Sequence, residues 1–313
     1  MAPLAEDEIQ TLRRKHYQAT LISKKLIHEE LALFRVRPDA QIASHQPGQY
    51  TTLGLGAWEK CHPSRFDQRA IQPGEESRLI RRQYSISHPI LTETGELQGE
   101  QSSELEFYIV LVTGNEQKQQ VVPTLTPRLF ALEPGDRLYV GEKITGHYTL
   151  EGVQPTDTVL FFSTGTGEAP NNYLLWSLLR RSHTGRILSA SCVRHSKDLG
   201  YWATHKKLME MYENYQYVAL TTREPAQPKK YLQELLTSGE LEKLLGKTLD
   251  PTQTHVFLCG NPHMIGVPVI DRTTKAKTYP ATTGMVELLE QRGFTADAKA
   301  LKVRGQVHFE EYW

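Results

Sequence analysis

Two patterns of apolar residues divide this chain. In the first half, short apolar-rich runs recur: YQATLISKKLI (17–27), LALFRVR (31–37), QYTTLGL (49–55), QYSIS (83–87), LEFYIVLV (105–112) and DRLYVGE (136–142). Turn signals separate them, among them the Pro-Gly turns QPGQ (46–49) and EPGD (133–136), which join neighbouring strands. Six strands at this spacing predict a small barrel or sandwich. A polar stretch, residues 56–80, interrupts the pattern as an insertion loop. Residues 5–15, AEDEIQTLRRK, read as a short helix or a frayed leader.

After about residue 153 the pattern changes. Four apolar runs, TVLFFS (158–163), RILSASCV (186–193), YQYVAL (215–220) and THVFLC (254–259), alternate with the helically spaced segments YLLWSLLRR, YWATHKKLMEMYE and YLQELLTSGELEKLL. Such alternation predicts a parallel sheet with right-handed crossovers. LEGVQPTD (150–157) is the expected linker, so the domains are read as 1–152, including a short leader over 1–15, and 153–313.

Composition narrows the class. At 313 residues the chain suits two domains rather than one small core. Its 36 basic and 36 acidic side chains cancel, so nothing global points to nucleic acid or anionic lipid. Cys61, Cys192 and Cys259 stand far apart without CxxC spacing, which argues against a zinc ribbon, a built-in iron–sulfur cluster or a secreted disulfide framework. The histidines show no HExxH-like spacing, so no metal site is expected. The N-terminal segment lacks the apolar core of a signal peptide and no run approaches a membrane span. A cytoplasmic protein without membrane attachment is the expectation.

Ligands of open parallel sheets sit beyond the carboxyl ends of the strands. There the four runs are followed by TGTGEAP, RHSKDLGY, TTREP and GNPHM. In the first, Gly165, Thr166 and Gly167 form a loop whose backbone can approach a pyrophosphate, with the amides of the next helix supplying a positive pole. Alone this GxGxxP motif is weak, because tight strand-to-helix turns use glycines for geometry too. Arg194, Thr222, Arg223 and Lys230 gather cations and a hydroxyl on the same edge. Each could be a solvated surface group; together they favour a 2′-phosphate, hence NADP over NAD. Glu168 is the odd letter in this loop. Either it uses the helix pole while turning away from the phosphates, or it lines the pocket mouth.

In the first half, RRQYSIS (81–87) puts Arg82 and Tyr84 on one strand face and Ser85 on the other. Arginine can clamp phosphate, an aromatic can cover a planar ring, and a hydroxyl can bond a ring nitrogen. The chain closes on EEYW, two aromatics preceded by Glu310 and Glu311, a tail suited to docking on a flat ligand.

Taken in order, RQYS, LTPRL (125–129), GTGEAP, RHSKDLGY, TTRE, LCGNPHM and the terminal YW resemble the motifs of the ferredoxin–NADP reductases, in particular the bacterial ferredoxin/flavodoxin type. The resemblance covers nearly the whole chain. It implies an antiparallel β-barrel domain holding FAD, followed by an α/β parallel-sheet domain holding NADP(H). It implies that Arg82 clamps the FAD pyrophosphate with help from the backbone near Thr126, that Tyr84 stacks on the isoalloxazine, and that Ser85 lies near its N5. Tyr312 would cover the opposite face, with Trp313 over the adenine or sharing that role. Arg194, Thr222, Arg223 and Lys230 would recognise the 2′-phosphate. Cys259 and a C-terminal carboxylate, best matched by Glu310 with Glu311 as the alternative, would position the hydride-transferring rings. Ser85, Cys259, Glu310 and Tyr312 are thus the expected catalytic set.

Two features depart from the family pattern: an aliphatic residue is usual where Glu168 stands, and residues 56–80 are longer than usual. The activity implied is electron transfer between NADPH and ferredoxin or flavodoxin by a monomer. A related NAD(P)H-dependent flavin reductase with another acceptor is the alternative enzyme, and a noncatalytic flavin or nucleotide sensor the alternative class. Arg13-Arg14-Lys15 and Arg81-Arg82 could meet an acidic carrier or simply be solvated.

Overall fold

The computed structural model describes residues 4–62, 74–100, 103–112, 125–225, 228–271 and 273–312. The chain forms two units, one of Met1–His88 with Gly99–His147, the other of Pro89–Gln98 with Tyr148–Trp313.

The first unit is built on six antiparallel strands, β1 (Ala19–His28), β2 (Leu31–Pro38), β3 (Tyr50–Gly56), β4 (Leu79–Ser85), β5 (Leu105–Val110) and β6 (Arg137–Val140), in the order β4-β3-β6-β1-β2-β5. A bridge from Ser87 to Glu106, with the Ser87 amide donating over 2.8 Å, links the two edges and closes the sheet into a barrel. Leu21, Phe34, Val36, Leu53, Leu55, Phe107 and Leu138 fill its interior. Closure leaves no long unpaired edge, which suits strands this short. Both Pro-Gly turns form, but neither joins neighbouring strands: the first lies between β2 and β3, which are not paired, and the second leads into β6 from a helix. Gln49 N donates to Gln46 O and Asp136 N to Glu133 O, with Gly48 and Gly135 at φ 87° and 99°. Positive φ after proline is the geometry of a type II turn, where only glycine is unstrained.

Helix α1 (Glu6–His16) has Glu6, Asp7 and Glu8 in its first turn and Arg13 to His16 in its last, the charge order that a helix dipole favours. Arg13 donates two hydrogen bonds to Glu59, at 2.8 and 2.6 Å, and Tyr17 donates a third at 2.9 Å. The leader is therefore an anchored helix. A short helix, α2 (Thr126–Ala131), completes the unit.

The second unit is a parallel sheet of β7 (Thr158–Thr164), β8 (Ile187–Val193), β9 (Tyr215–Thr221), β10 (Thr254–Gly260) and, past a small ribbon of β11 (Val269–Ile270) and β12 (Lys277–Thr278), β13 (Val307–Glu311). Its order is β13-β10-β7-β8-β9. The first four match the four apolar runs. The fifth was not anticipated, because VHFEE offers only Val307 and Phe309 as apolar residues. The helices are α3 (Glu168–Arg180), α4 (Trp202–Met211), α5 (Leu232–Thr237), α6 (Glu240–Leu245), α7 (Pro262–Ile265) and α8 (Met285–Glu290). The single helix read over 231–245 is two, broken at Gly239, whose φ of 75° no helix interior accepts. No helix among the described residues is long and apolar enough to cross a membrane.

The two faces of this sheet differ. One is hydrocarbon: Leu160, Phe162, Leu188, Ala190, Val256 and Leu258 pack against residues of α5 to α8, including Leu232, Leu236, Leu241, Met285 and Leu289. The alternate positions include Ser163, Ser189, Ser191, Tyr215 and Tyr217, all buried. At the start of β10, His255 Nδ1 lies 3.2 Å from His308 Nε2 on β13. Asp297 Oδ2 is 2.9 Å from His308 Nδ1, and Asp157 Oδ2 is 3.5 Å from His255 Nε2. This line of four ionisable groups ties the last strand to its neighbour.

Candidate functional site

Sequence order along the sheet reverses between β7 and β10, and at such a switch point the loops diverge to leave a crevice. After β7 the chain makes one tight turn, Gly165–Gly167, and enters α3 with the Glu168 amide donating to Gly165 O and Thr166 O. Gly165 has φ +54° and open space where a side chain would start. Gly167 is the opposite case. A Cβ there would lie 2.3 Å from Cys259 O and 2.6 Å from Cys259 C, so the loop and the end of β10 meet backbone to backbone. Asn261 N donates to Thr164 Oγ1 over 2.7 Å, which fastens the two ends together.

Beside this seam stand Cys259, Glu310 and Tyr312. Cys259 is paired with Glu310 in the β10–β13 register, and Tyr312 N donates to Gly260 O over 2.8 Å. Cys259 is fully buried. Burial, and then the Glu310 carboxylate, push its thiol well above the ordinary range, opposed by a hydrogen bond with Tyr312. It is therefore a neutral thiol rather than a nucleophile. Tyr148, unremarked in the sequence, faces the same three residues. Burial first, then the nearness of Cys259, Glu310 and Tyr312, raise its phenol, which donates to Asn171 Oδ1 of α3 over 2.7 Å. Glu311 is exposed, and Trp313 lies outside the described residues.

The ends of β8 and β9 stay paired past the strands: Thr222 N donates to Val193 O and Arg223 N to Arg194 O, at 3.0 and 2.9 Å. Arg194 and Arg223 thus stand together with exposed side chains. Thr222 Oγ1 is turned inward onto Val193 O. The Lys230 ammonium is paired with Glu240, while the Lys230 carbonyl lies within reach of the Cys192 thiol at 3.8 Å. Glu224 was overlooked. It accepts from Ser196 N and Ser196 Oγ at 2.5 and 2.7 Å, and these bonds lower its pKa. An acidic residue following a strand-end arginine was its visible signal.

Glu168 turns neither to the crevice mouth nor to solvent. It is 3% exposed and points back over the polar face of the sheet, where Oε1 accepts from Ser191 Oγ, Tyr217 OH and His205 Nε2 at 2.9, 2.8 and 3.0 Å.

In the barrel unit, Arg82 is exposed and Tyr84 half-buried on β4, while Ser85 is buried. Burial raises the Tyr84 phenol, and the charge of nearby Arg82 opposes that rise. Thr126 opens α2, its hydroxyl accepting from Val112 N over 3.1 Å. Arg128, two residues on, is buried and donates to Gly56 O and Ala57 O at 3.1 and 3.0 Å, so it is committed to the backbone following β3.

Comparison with known proteins gives this geometry a context. The family model of the oxidoreductase NAD-binding domain matches residues 161–268. The flavodoxin/ferredoxin–NADP reductase of Buchnera aphidicola subsp. Schizaphis graminum is 28% identical over 236 residues, 74% of this chain and 81% of that protein. Its Escherichia coli (strain K12) counterpart is 27% identical over 237 residues, again 81% of that protein. Over about three quarters of its length the chain is thus similar to bacterial flavodoxin/ferredoxin–NADP reductases. A ferredoxin–NADP+ reductase of Neisseria gonorrhoeae, solved with bound FAD and NADP, has the same fold, with a TM-score of 0.64 over 94% of this chain and 97% of that one at 20% identity. The antiparallel barrel followed by a parallel α/β sheet is thus the two-domain architecture of ferredoxin–NADP reductases.

Proposed function

We propose that this protein is an FAD-dependent reductase that carries electrons between NADPH and ferredoxin or flavodoxin in the cytoplasm. The observation that carries the proposal is the cluster at the switch point, where the Gly165–Gly167 loop, Cys259, Glu310 and Tyr312 meet. The residues fit the cofactors. The open space at Gly165 suits a pyrophosphate approached by backbone amides, and Arg194 and Arg223 suit a 2′-phosphate. In the barrel unit, the exposed side chain of Arg82 suits the FAD pyrophosphate, and the backbone near Thr126 would help to hold it. Tyr84 offers a ring face and Ser85 a hydroxyl toward the flavin N5 edge.

When bound, the flavin supplies a hydride acceptor at N5 and the capacity to give up electrons singly. The chain's own part is alignment and exclusion. Cys259, held neutral by burial, can pack against a nicotinamide without attacking it. Tyr148 and Asn171 fix the wall behind that thiol. Glu310 would orient a ring edge by accepting a hydrogen bond, and Tyr312, with Trp313 after it, would offer aromatic faces to a flat ligand.

Anaerobic addition of NADPH to the purified protein tests this reading. It should bleach the yellow flavin, and reduced ferredoxin or flavodoxin should then accumulate. A colourless protein, or a yellow one that NADPH cannot bleach, sinks the proposal. Arg223→Ala should weaken NADPH use by about 2–3 kcal/mol, roughly 30- to 150-fold, and leave NADH use little changed. The carboxylate of Glu224 at the same edge favours one second reading, a related reductase able to use NADH, since ribose hydroxyls bind carboxylates. Equal losses with both coenzymes would support it.

A further inference from the structure

The carboxylate of Glu168 follows directly on the loop assigned above to the dinucleotide phosphates, yet it is buried and carries its own apparatus. Its Oε1 gathers hydrogen bonds from three elements: Ser191 on β8, Tyr217 on β9 and His205 on α4. Ser163 on β7 joins through Ser191, the two hydroxyls lying 2.8 Å apart. His205 is completely buried, its ring stacked on Tyr217 at 4.0 Å and 11°. Its other nitrogen, Nδ1, is 2.8 Å from the Tyr215 hydroxyl, which is also hydrogen-bonded to Ser189. Among the described residues, His205 is the one ion-pairing neighbour of Glu168.

The hydrogen-bond inventory permits two charge states without moving a side chain. With a neutral imidazole, Nε2–H donates to the carboxylate and Nδ1 accepts from Tyr215. With an imidazolium, Nδ1–H donates to Tyr215, whose hydroxyl rotates to donate to Ser189 instead. Burial raises both phenols well above their ordinary range; the bond to Ser189 opposes the rise at Tyr215, and the Glu168 charge adds to it at both, so they remain donors throughout. The titratable groups facing the pair are these two tyrosines and, at 6.5 Å between rings, Tyr201 at the start of α4. In one state the pair is neutral; in the other it leaves a net negative charge in the first turn of α3, opposing an anion on the loop.

We propose that Glu168 and His205 are a proton-linked positioning pair, which anchors the first turn of α3 and sets how tightly the Gly165–Gly167 loop holds phosphate, tighter when the pair carries its extra proton. This rests on the reading that the loop receives a dinucleotide.

The test is NADP+ affinity of the flavin-loaded protein from about pH 6 to about pH 9, by calorimetry, for wild type, Glu168→Gln and Glu168→Leu, with inorganic pyrophosphate as a second probe. Wild-type affinity should fall with rising pH, beyond the ligand's own titration, by on the order of five- to thirty-fold, the effect of one unit charge at a few residues' distance near a surface. Glu168→Gln keeps an amide oxygen for the three donors but no charge. Its profile should be flat by comparison, and at high pH it should bind more tightly than wild type. Glu168→Leu strands the donors and should bind more weakly than the Gln variant at every pH. Parallel wild-type and Gln profiles, or a Gln variant weaker than wild type throughout, would overturn the proposal. NADP+ binding with no proton-linked slope removes the pair and leaves the function. A slope seen with pyrophosphate but no NADP+ binding removes the function and leaves the pair.

Discussion

His255 makes acid stability a quantitative test of the second unit. It is neutral in the folded protein, its pKa lowered from 6.5 to about 4, first by burial and then by the neighbouring His308. A depressed histidine stabilises the fold while the unfolded state is also neutral. As pH falls below about 6.5, only the unfolded chain gains the proton, so stability is lost until the folded pKa near 4 is reached. Between about pH 7 and about pH 4.5 this one group should remove about 2–2.5 kcal/mol. His183, also lowered by burial, acts in the same direction. The perturbation is His255→Gln, whose amide can still meet His308 and Asp157 but cannot titrate. Urea unfolding followed by tryptophan fluorescence, fitted to two transitions, should give similar stabilities for the two proteins near neutrality. The variant should lose about 2 kcal/mol less than wild type on acidification. Equal acid losses would refute the reasoning, because the proton would then be entering elsewhere.

Other expectations follow from contacts already described. Gly167→Ala drives a methyl into the Cys259 carbonyl and should cost roughly 2–3 kcal/mol in urea titrations; a variant as stable as its parent would mean the seam can open at no cost. Arg128→Met leaves the Gly56 and Ala57 carbonyls without their buried donor and should lower barrel stability by about 1–3 kcal/mol, whereas an unchanged unfolding midpoint would deny the guanidinium that role. Alkylation mapped by mass spectrometry should modify half-buried Cys61 before Cys192, whose thiol burial lifts to about 11, and before Cys259. Early loss of the Cys259 thiol would contradict its protected, neutral state.

The apolar runs located five barrel strands and four of five parallel strands, because these carry buried apolar residues at the corresponding period. β4 was caught only at its end, since it begins at Leu79, inside the stretch 56–80 read as an insertion loop (of which 63–73 lie outside the described residues), and its centre, Arg81 to Gln83, is exposed. What they missed had little apolar content. β13 earns its place by adding an edge ladder to β10 and by the Asp157–His255–His308–Asp297 line, not by hydrophobic alternation. The strand-end segments were legible since parallel topology brings them to one edge, and Arg194 and Arg223 are indeed side by side. Tyr148 was not, because its place beside Cys259 depends on long-range packing that no local spacing records. Glu168 had a signal that went unused. Ser189 and Ser191 on β8, and Tyr215 and Tyr217 on β9, alternate with apolar residues, and two adjacent strands with hydroxyls on one buried face require a polar partner there.

The contact between Gly167 and the Cys259 carbonyl has a mechanical meaning. Side chains in a core absorb small displacements by changing rotamer, and a joint padded by them is compliant. Here backbone lies directly on backbone, with Asn261 fastened to Thr164 alongside. Such a joint has no slack. A push on the Gly165–Gly167 turn is delivered undamped to the end of β10, and through the ladder there to Glu310, so that strain imposed at the turn is registered at a thiol on the neighbouring strand.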